Sequence, residues 1–201
     1  MSLSARRHYT VDDYFSVEES SNLKHEYYDG EIFAMAGASL RHNRITGNVF
    51  AALRAALAHS GCEVFASDLR VRTPGGLYTY PDVMVVCGGV QLSAEDRLDT
   101  VINPLVIIEV LSESTRDYDR GEKFRQYQSL PSLREYLLIE QTRMAVEQHS
   151  LEVSAEDRQP GQWARREYTL AEDHIRLPSL DLTITVRDIY AGVDLPPETQ
   201  P

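Results

Sequence analysis

Lysine is almost missing from this sequence. Lys24 and Lys123 stand against 18 arginines, and acidic residues outnumber basic ones 31 to 20, for a net charge of −11. A protein that grips nucleic acid through unspecific phosphate contacts is ordinarily basic. The balance therefore argues against a whole surface built for that purpose, while leaving room for a local basic face or for carboxylates that hold a cation. Cysteine is scarce as well. Cys62 and Cys87 are too few for a disulfide framework or a zinc cluster, and both are expected to be buried thiols in a reducing cytoplasm. No apolar run reaches the length of about 18 residues that spans a bilayer, and the segment 1–8 lacks the apolar core of a secretory signal. There is no repeat, no low-complexity tract, no Gly-Lys-Ser phosphate loop and no dinucleotide fingerprint. Ser112 and Ser114 have no serine-hydrolase elbow around them, and the six histidines do not fall at zinc-ligand spacing.

What is present suits one ordinary domain, because 201 residues with 42% hydrophobic content can bury a real core. That domain is expected over 1–193, with a Pro-rich tail at 194–201. Thr10 and Asp13 form a capping-box pattern for a short helix over about 10–19. Asp29-Gly30 is a strong hairpin signal, which places strands near 24–28 and 31–35. Ser39 is a candidate cap for a helix running to about His59, whose Ile45, Val49, Leu53 and Leu57 recur at helical spacing, with Gly61 as its stop. Strands follow near 62–66, 69–73 and 82–87, and Leu105–Leu111 reads as a buried central strand interrupted only by Glu109. Ser114 or Thr115 is expected to cap a helix over about 116–129, ended by Pro131, before a core strand at 135–139. Short strands at 143–150, 162–168, 173–177 and 182–184 and a helix at 186–190 complete the pattern. The order implies an α/β (α+β) fold with a mixed central sheet flanked by helices and an antiparallel C-terminal extension.

Two carboxylates and one helical face carry chemistry. Glu109 lies inside an apolar strand, where an unpaired carboxylate is costly to bury; it is either a strand-end acid satisfied by an arginine or a functional group. Asp82 heads a second apolar strand, Val83–Val86, directly after Pro81; alone it is an ordinary turn residue. If the two strands are neighbours, Asp82 and Glu109 make an oxygen site for a hard divalent cation. Arg116, Arg120, Lys123 and Tyr127 are spaced to share one helical face just beyond Glu109. That face is either solvated or turned toward the carboxylates, where an ammonium can offset charge developing on a phosphoryl group.

The segments Tyr28-Asp-Gly-Glu31, Arg41-His-Asn-Arg44, Tyr80-Pro-Asp-Val83, Glu109-Val-Leu-Ser-Glu-Ser-Thr115 and Lys123-Phe-Arg-Gln-Tyr127 resemble, in order, those of the Uma-type putative restriction endonuclease family, formerly a domain of unknown function, within the PD-(D/E)xK superfamily. The likeness runs over about residues 10–190. It implies a restriction-endonuclease-like PD-(D/E)xK core, with Asp82 as the motif aspartate and Glu109 as the acid that follows. Superfamily members commonly carry lysine two residues after that acid, where this chain has Leu111. The resemblance points to Lys123, moved onto the next helix.

Glu31, just after the hairpin turn, and His42, in the first turn of the long helix, are further candidates. Glu31 is equally readable as a solvated turn residue, and His42 as a capping or core histidine. The implied activity is a Mg²⁺- or Mn²⁺-dependent endonuclease acting on phosphodiesters, with DNA the default substrate. Asp82 and Glu109 would hold the metal, Lys123, Glu31 and His42 would assist, and Arg116, Arg120 and Tyr127 would meet the substrate. A homodimer is compatible with cutting both strands. The alternative is a non-catalytic binding or assembly module that retains the nuclease fold.

Overall fold

The α1 helix (Val11–Ser20) begins where the capping box predicts: the Thr10 side chain accepts from the Asp13 N–H while the Asp13 carboxylate accepts from Thr10. It packs on a β1–β2 hairpin (His25–Tyr28 and Glu31–Ala34), whose turn places Asp29 and Gly30 at φ 46° and 78°, as an Asp-Gly hairpin turn requires. This computed structural model describes residues 8–152 and 161–197. Residues 1–7 of the expected domain and 198–201 of the expected tail lie outside the described residues.

Helix α2 (Leu40–Ala56) starts at Ser39, which accepts from the His42 N–H, and ends three residues short of the expected His59. Among the described residues, thirteen strands form three sheets. The strands after α2 are β3 (Cys62–Ala66), β4 (Arg70–Arg72), β5 (Tyr78–Thr79), β6 (Val83–Cys87), β7 (Thr100–Val101), β8 (Val106–Leu111), β9 (Glu135–Glu140), β10 (Val146–Glu152), β11 (Gln162–Tyr168), β12 (His174–Leu177) and β13 (Leu182–Thr185). The central sheet has the order β11-β10-β9-β8-β6-β3, with β8 and β9 parallel and the other neighbours antiparallel. The expected C-terminal extension is thus mostly a continuation of that sheet, and only β12–β13 stands apart as a hairpin.

A second sheet, β2-β1-β5-β4-β7, was not legible in the sequence. Its β5 and β7 are two residues each, too short to show an alternating pattern. Tyr14 and Phe15 of α1 pack with Tyr27 and Tyr78 against it.

Alternation within β6 and β8 divides the core. Val83, Val85, Val106, Ile108 and Val110 join Ile45, Val49 and Leu53 of α2 on one face of the central sheet. Met84, Val86, Ile107 and Leu111 join Tyr136, Leu138, Phe124 and Tyr127 on the other. Glu109 falls, by the period of two, on that second face, among side chains that are otherwise apolar.

The helix expected over 116–129 is present over 116–128, but its middle turn is π-helical. It consists of a short α3 (Arg116–Tyr118), a π-helical stretch Asp119–Lys123, and α4 (Phe124–Gln128). Thr115 makes no side-chain cap; instead the Ser112 hydroxyl accepts from the Thr115 N–H.

The two cysteines are not buried thiols. Antiparallel pairing sets Cys62 directly opposite Cys87 at the last register position of β3 and β6, and the pair forms a disulfide at a half-buried sheet edge. No helix among the described residues is long and apolar enough to cross a membrane. Closing a loop across the 25-residue separation of these cysteines stabilises a fold by about 3 kcal/mol. Replacing both with serine is therefore expected to lower the thermal midpoint by about 6–12 °C for a chain of this size. A melt that does not change under non-reducing conditions would show that the cross-link contributes nothing.

Candidate active site

Register brings the two sequence-predicted carboxylates together. Val83 pairs with Ile108 in the antiparallel β6–β8 ladder, so one step further Asp82 stands opposite Glu109. The Val110 N–H, next in sequence to Glu109, donates to Asp82 Oδ2 at 2.8 Å, and the Asp82 charge acts on Glu109. The same oxygen lies 3.1 Å from His42 Nε2, on the first turn of α2. His42 is in turn 3.4 Å from the Thr46 hydroxyl through Nδ1. His42 therefore reaches the candidate site through Asp82.

Glu109 is held from the other side. Tyr127 donates its hydroxyl to Glu109 Oε1 at 2.9 Å, and Lys123 Nζ lies 2.9 Å from the same atom. Lys123 is 4% exposed, which rules out the solvated basic face that spacing alone allowed. Its ammonium also meets Glu26 Oε1 at 3.2 Å and Asp119 Oδ1 at 3.4 Å. Glu26 accepts a hydrogen bond from Thr79 as well.

The π-helical stretch explains why these groups converge. An extra residue in the turn shifts the register of side chains, so Asp119 and Lys123 both turn inward while Arg116 and Arg120 remain partly exposed. The four residues expected on one face thus divide into two pairs. Lys123 and Tyr127 meet Glu109. Arg116 and Arg120 meet Glu140 at 3.1 and 3.0 Å, and Arg120 also lies 3.4 Å from Glu147. Tyr127 is fully buried, and its hydroxyl is engaged with Glu109.

Glu31 opens β2 opposite Tyr28 and is half-buried. The acid of the early hairpin that meets Lys123 is Glu26, which sequence reading missed together with Asp119. The i,i+4 spacing of Asp119 and Lys123 was a visible signal. Nothing local marks Glu26, whose partner is brought to it by the packing of two sheets.

Charge explains the electrostatics. Glu26, Glu109 and Asp119 surround one ammonium, and Asp82 adds a further carboxylate beside Glu109. Burial raises the Glu109 pKa to about 8, with Lys123 opposing the rise and Asp82 and Asp119 adding to it. Burial also raises Asp119. Burial works against the charged form of Lys123, yet Glu109 and Glu26 outweigh it and push the pKa well above the ordinary lysine value. The charged form of Lys123 is favoured, and the neutral forms of Glu109 and Asp119 are favoured beside it.

This surplus of carboxylates suits a hard cation. Asp82 Oδ1 and Glu109 Oε2 accept no hydrogen bond among the described residues, and neither is among the buried atoms left without a partner. No group of three or more His, Cys, Asp or Glu side chains among the described residues encloses a metal ion. Two carboxylates with free oxygens nevertheless fit Mg²⁺, which commonly keeps its waters and takes only one or two protein carboxylates plus phosphate oxygens.

The fold and this arrangement of acids and lysine define a restriction-endonuclease-like protein. The chain superposes on the crystal structure of a "putative nuclease belonging to DUF820" from Anabaena variabilis with a TM-score of 0.71, at 16% identity, over 90% of this chain and 97% of that one, a likeness of fold. The profile of Uma2, described as "Putative restriction endonuclease", matches residues 11–187, and the chain belongs to that family. It is 35% identical to the uncharacterised protein slr1290 of Synechocystis sp., over 90% of this chain and 91% of that protein. It is 37% identical to a second uncharacterised Synechocystis protein, sll1609, over 70% of this chain and 79% of that protein.

Two predictions follow from the charges. Lys123→Met leaves three buried carboxylates without their cation and is expected to cost about 3–5 kcal/mol of stability. Acids whose pKa is raised by folding hold their protons more tightly in the native state, so stability falls as pH rises. The deficit should therefore be larger at pH 8 than at pH 5 in urea denaturation, and equal deficits would refute this account. For Glu147, burial alone would raise the pKa from 4.5, but hydrogen bonds from Arg165 and His149 outweigh it and hold the group at about 2. Its contribution is present above about pH 4.5 and lost as pH falls toward 2, so Glu147→Gln is expected to flatten that part of the acid-unfolding curve.

Proposed function

We propose that this chain is a metal-dependent endonuclease that hydrolyses phosphodiester bonds in DNA, with Mg²⁺ or Mn²⁺ as its cofactor. The observation that carries the reading is the placement of Asp82 opposite Glu109, one step beyond the β6–β8 ladder, each with an oxygen that accepts no hydrogen bond among the described residues, beside a buried lysine. Asp82 and Glu109 would hold the cation. Bound there, it supplies a Lewis acid for the scissile phosphate and a water of lowered pKa.

The surrounding residues have separable tasks in this proposal. The Val110 N–H and His42 fix the Asp82 carboxylate by its Oδ2, leaving Oδ1 as the ligand atom. Tyr127 and Lys123 do the same for Glu109 through Oε1. Lys123 also places a positive charge beside the site, where it offsets negative charge gathering on the phosphoryl oxygens. Glu26 and Asp119 hold that ammonium in position.

Supercoiled plasmid, linear duplex and single strands incubated with the protein in Mg²⁺, Mn²⁺ or EDTA test this directly. Nicking is expected with either metal and not with EDTA. Asp82→Asn and Glu109→Gln are each expected to slow it by at least about 100-fold, the usual scale for losing one charge-stabilising group. Absence of cleavage under every metal condition would overturn the enzyme reading. Cleavage that survives Asp82→Asn would show that the site is elsewhere, and cleavage of RNA alone would correct the substrate.

A further inference from the structure

The central sheet carries a row of ionic groups away from Glu109. Glu109 pairs with Leu138, Leu138 with Glu147, and Glu147 with Glu167, so these four residues lie side by side across β8, β9, β10 and β11 on one face. Neighbouring strands are about 4.8 Å apart, which sets Glu147 roughly 10 Å from Glu109 along the row.

Three guanidinium groups are suspended over it. Glu140 holds Arg116 and Arg120, while Glu147 holds Arg120 and, at 2.8 Å, Arg165 of β11. The two carboxylates are buried, with 5% and 10% of their side chains exposed, whereas Arg116, Arg120 and Arg165 keep 37%, 32% and 54%. Arg165 also lies 3.8 Å from Glu167, which meets Arg143 at 3.6 Å. His149, whose pKa is lowered by burial, adds little charge. Three arginines against Glu140 and Glu147 leave one positive charge in excess, and counting Arg143 and Glu167 at the rim leaves the excess unchanged.

Each guanidinium has five N–H donors, and the carboxylates engage only some of them. A fixed arginine loses less side-chain freedom on binding, so buried acids that hold it make it a better ligand for a phosphate. The row thus supplies a local, pre-set basic track on a protein whose net charge is −11.

We propose that the row Arg116–Arg120–Arg165 binds the phosphate backbone of a nucleic acid at the surface beside the helix that covers Glu109, and so leads it toward Asp82 and Glu109. This rests on the nuclease reading and names where the substrate lies. Arg165 is the group that sequence reading did not single out. Arg166 provides an internal control. Its register neighbours Gln148, Leu137 and Ile108 belong to the other face of the sheet, and it is equally exposed at 59%.

The test is fluorescence anisotropy of a labelled DNA duplex with the full chain in EDTA, over a range of salt, alongside plasmid nicking in Mg²⁺. Arg165→Glu is expected to weaken duplex binding by about tenfold or more and to lower the salt slope by about one. Arg165→Ala, which removes the guanidinium without reversing the charge, should weaken duplex binding severalfold and serves if the glutamate variant fails to fold; parent-like binding by it would equally overturn the track. Arg166→Glu should leave binding close to the parent. Equal effects of Arg165→Glu and Arg166→Glu, or Arg165→Glu binding like the parent while the parent nicks plasmid, would overturn the track and leave the nuclease reading standing. A parent protein that neither binds nor nicks would overturn both.

Discussion

Lys123 is taken out of water and set among Glu26, Glu109 and Asp119, and most of what is distinctive in this chain follows from keeping that ammonium satisfied. A buried charge without partners costs several kcal/mol, and the mutual attraction offsets this only when the geometry is good on every side. The three acids come from three places: the hairpin strand β1, the central strand β8 and the π-helical stretch. One side chain therefore ties the five-stranded sheet, the central sheet and the covering helix to a common point. Gln126, one turn further on, reinforces the same junction by donating to Tyr28 at 2.8 Å and accepting from Thr73 at 3.3 Å.

The π turn in the helix serves that junction. A regular helix would place Lys123 with Arg116 and Arg120, and no single face can both meet Glu109 and reach Glu140 and Glu147, whose arginine partners lie at the surface. The π turn gives up ideal hydrogen bonding to separate them. Buried Lys123 then supports a carboxylate, and the arginines line a different part of the surface.

Charge distribution reconciles an acidic chain with a proposed nucleic-acid substrate. The acids around Lys123 are concentrated, and burial together with neighbouring carboxylates raises the pKa of Glu109 and Asp119. The arginines beside them are held at the surface by other acids. A net charge summed over the whole chain averages these two regions and describes neither of them.

Much of the fold was legible because it depends on neighbours close in sequence. The Thr10–Asp13 box, the Ser39 cap, the Asp29-Gly30 turn and the apolar runs of β6 and β8 are set by contacts within a few residues, and each appears where its pattern indicated. The meeting of Asp82 with Glu109 needed only that two recognisable strands be neighbours, together with the family resemblance. Tertiary structure decided the rest. It paired Cys62 with Cys87, assembled a second sheet from strands too short to show a period, and brought Glu26 to Lys123. Those outcomes depend on register between strands and on balancing buried charge across elements distant in sequence, neither of which leaves a local pattern to read.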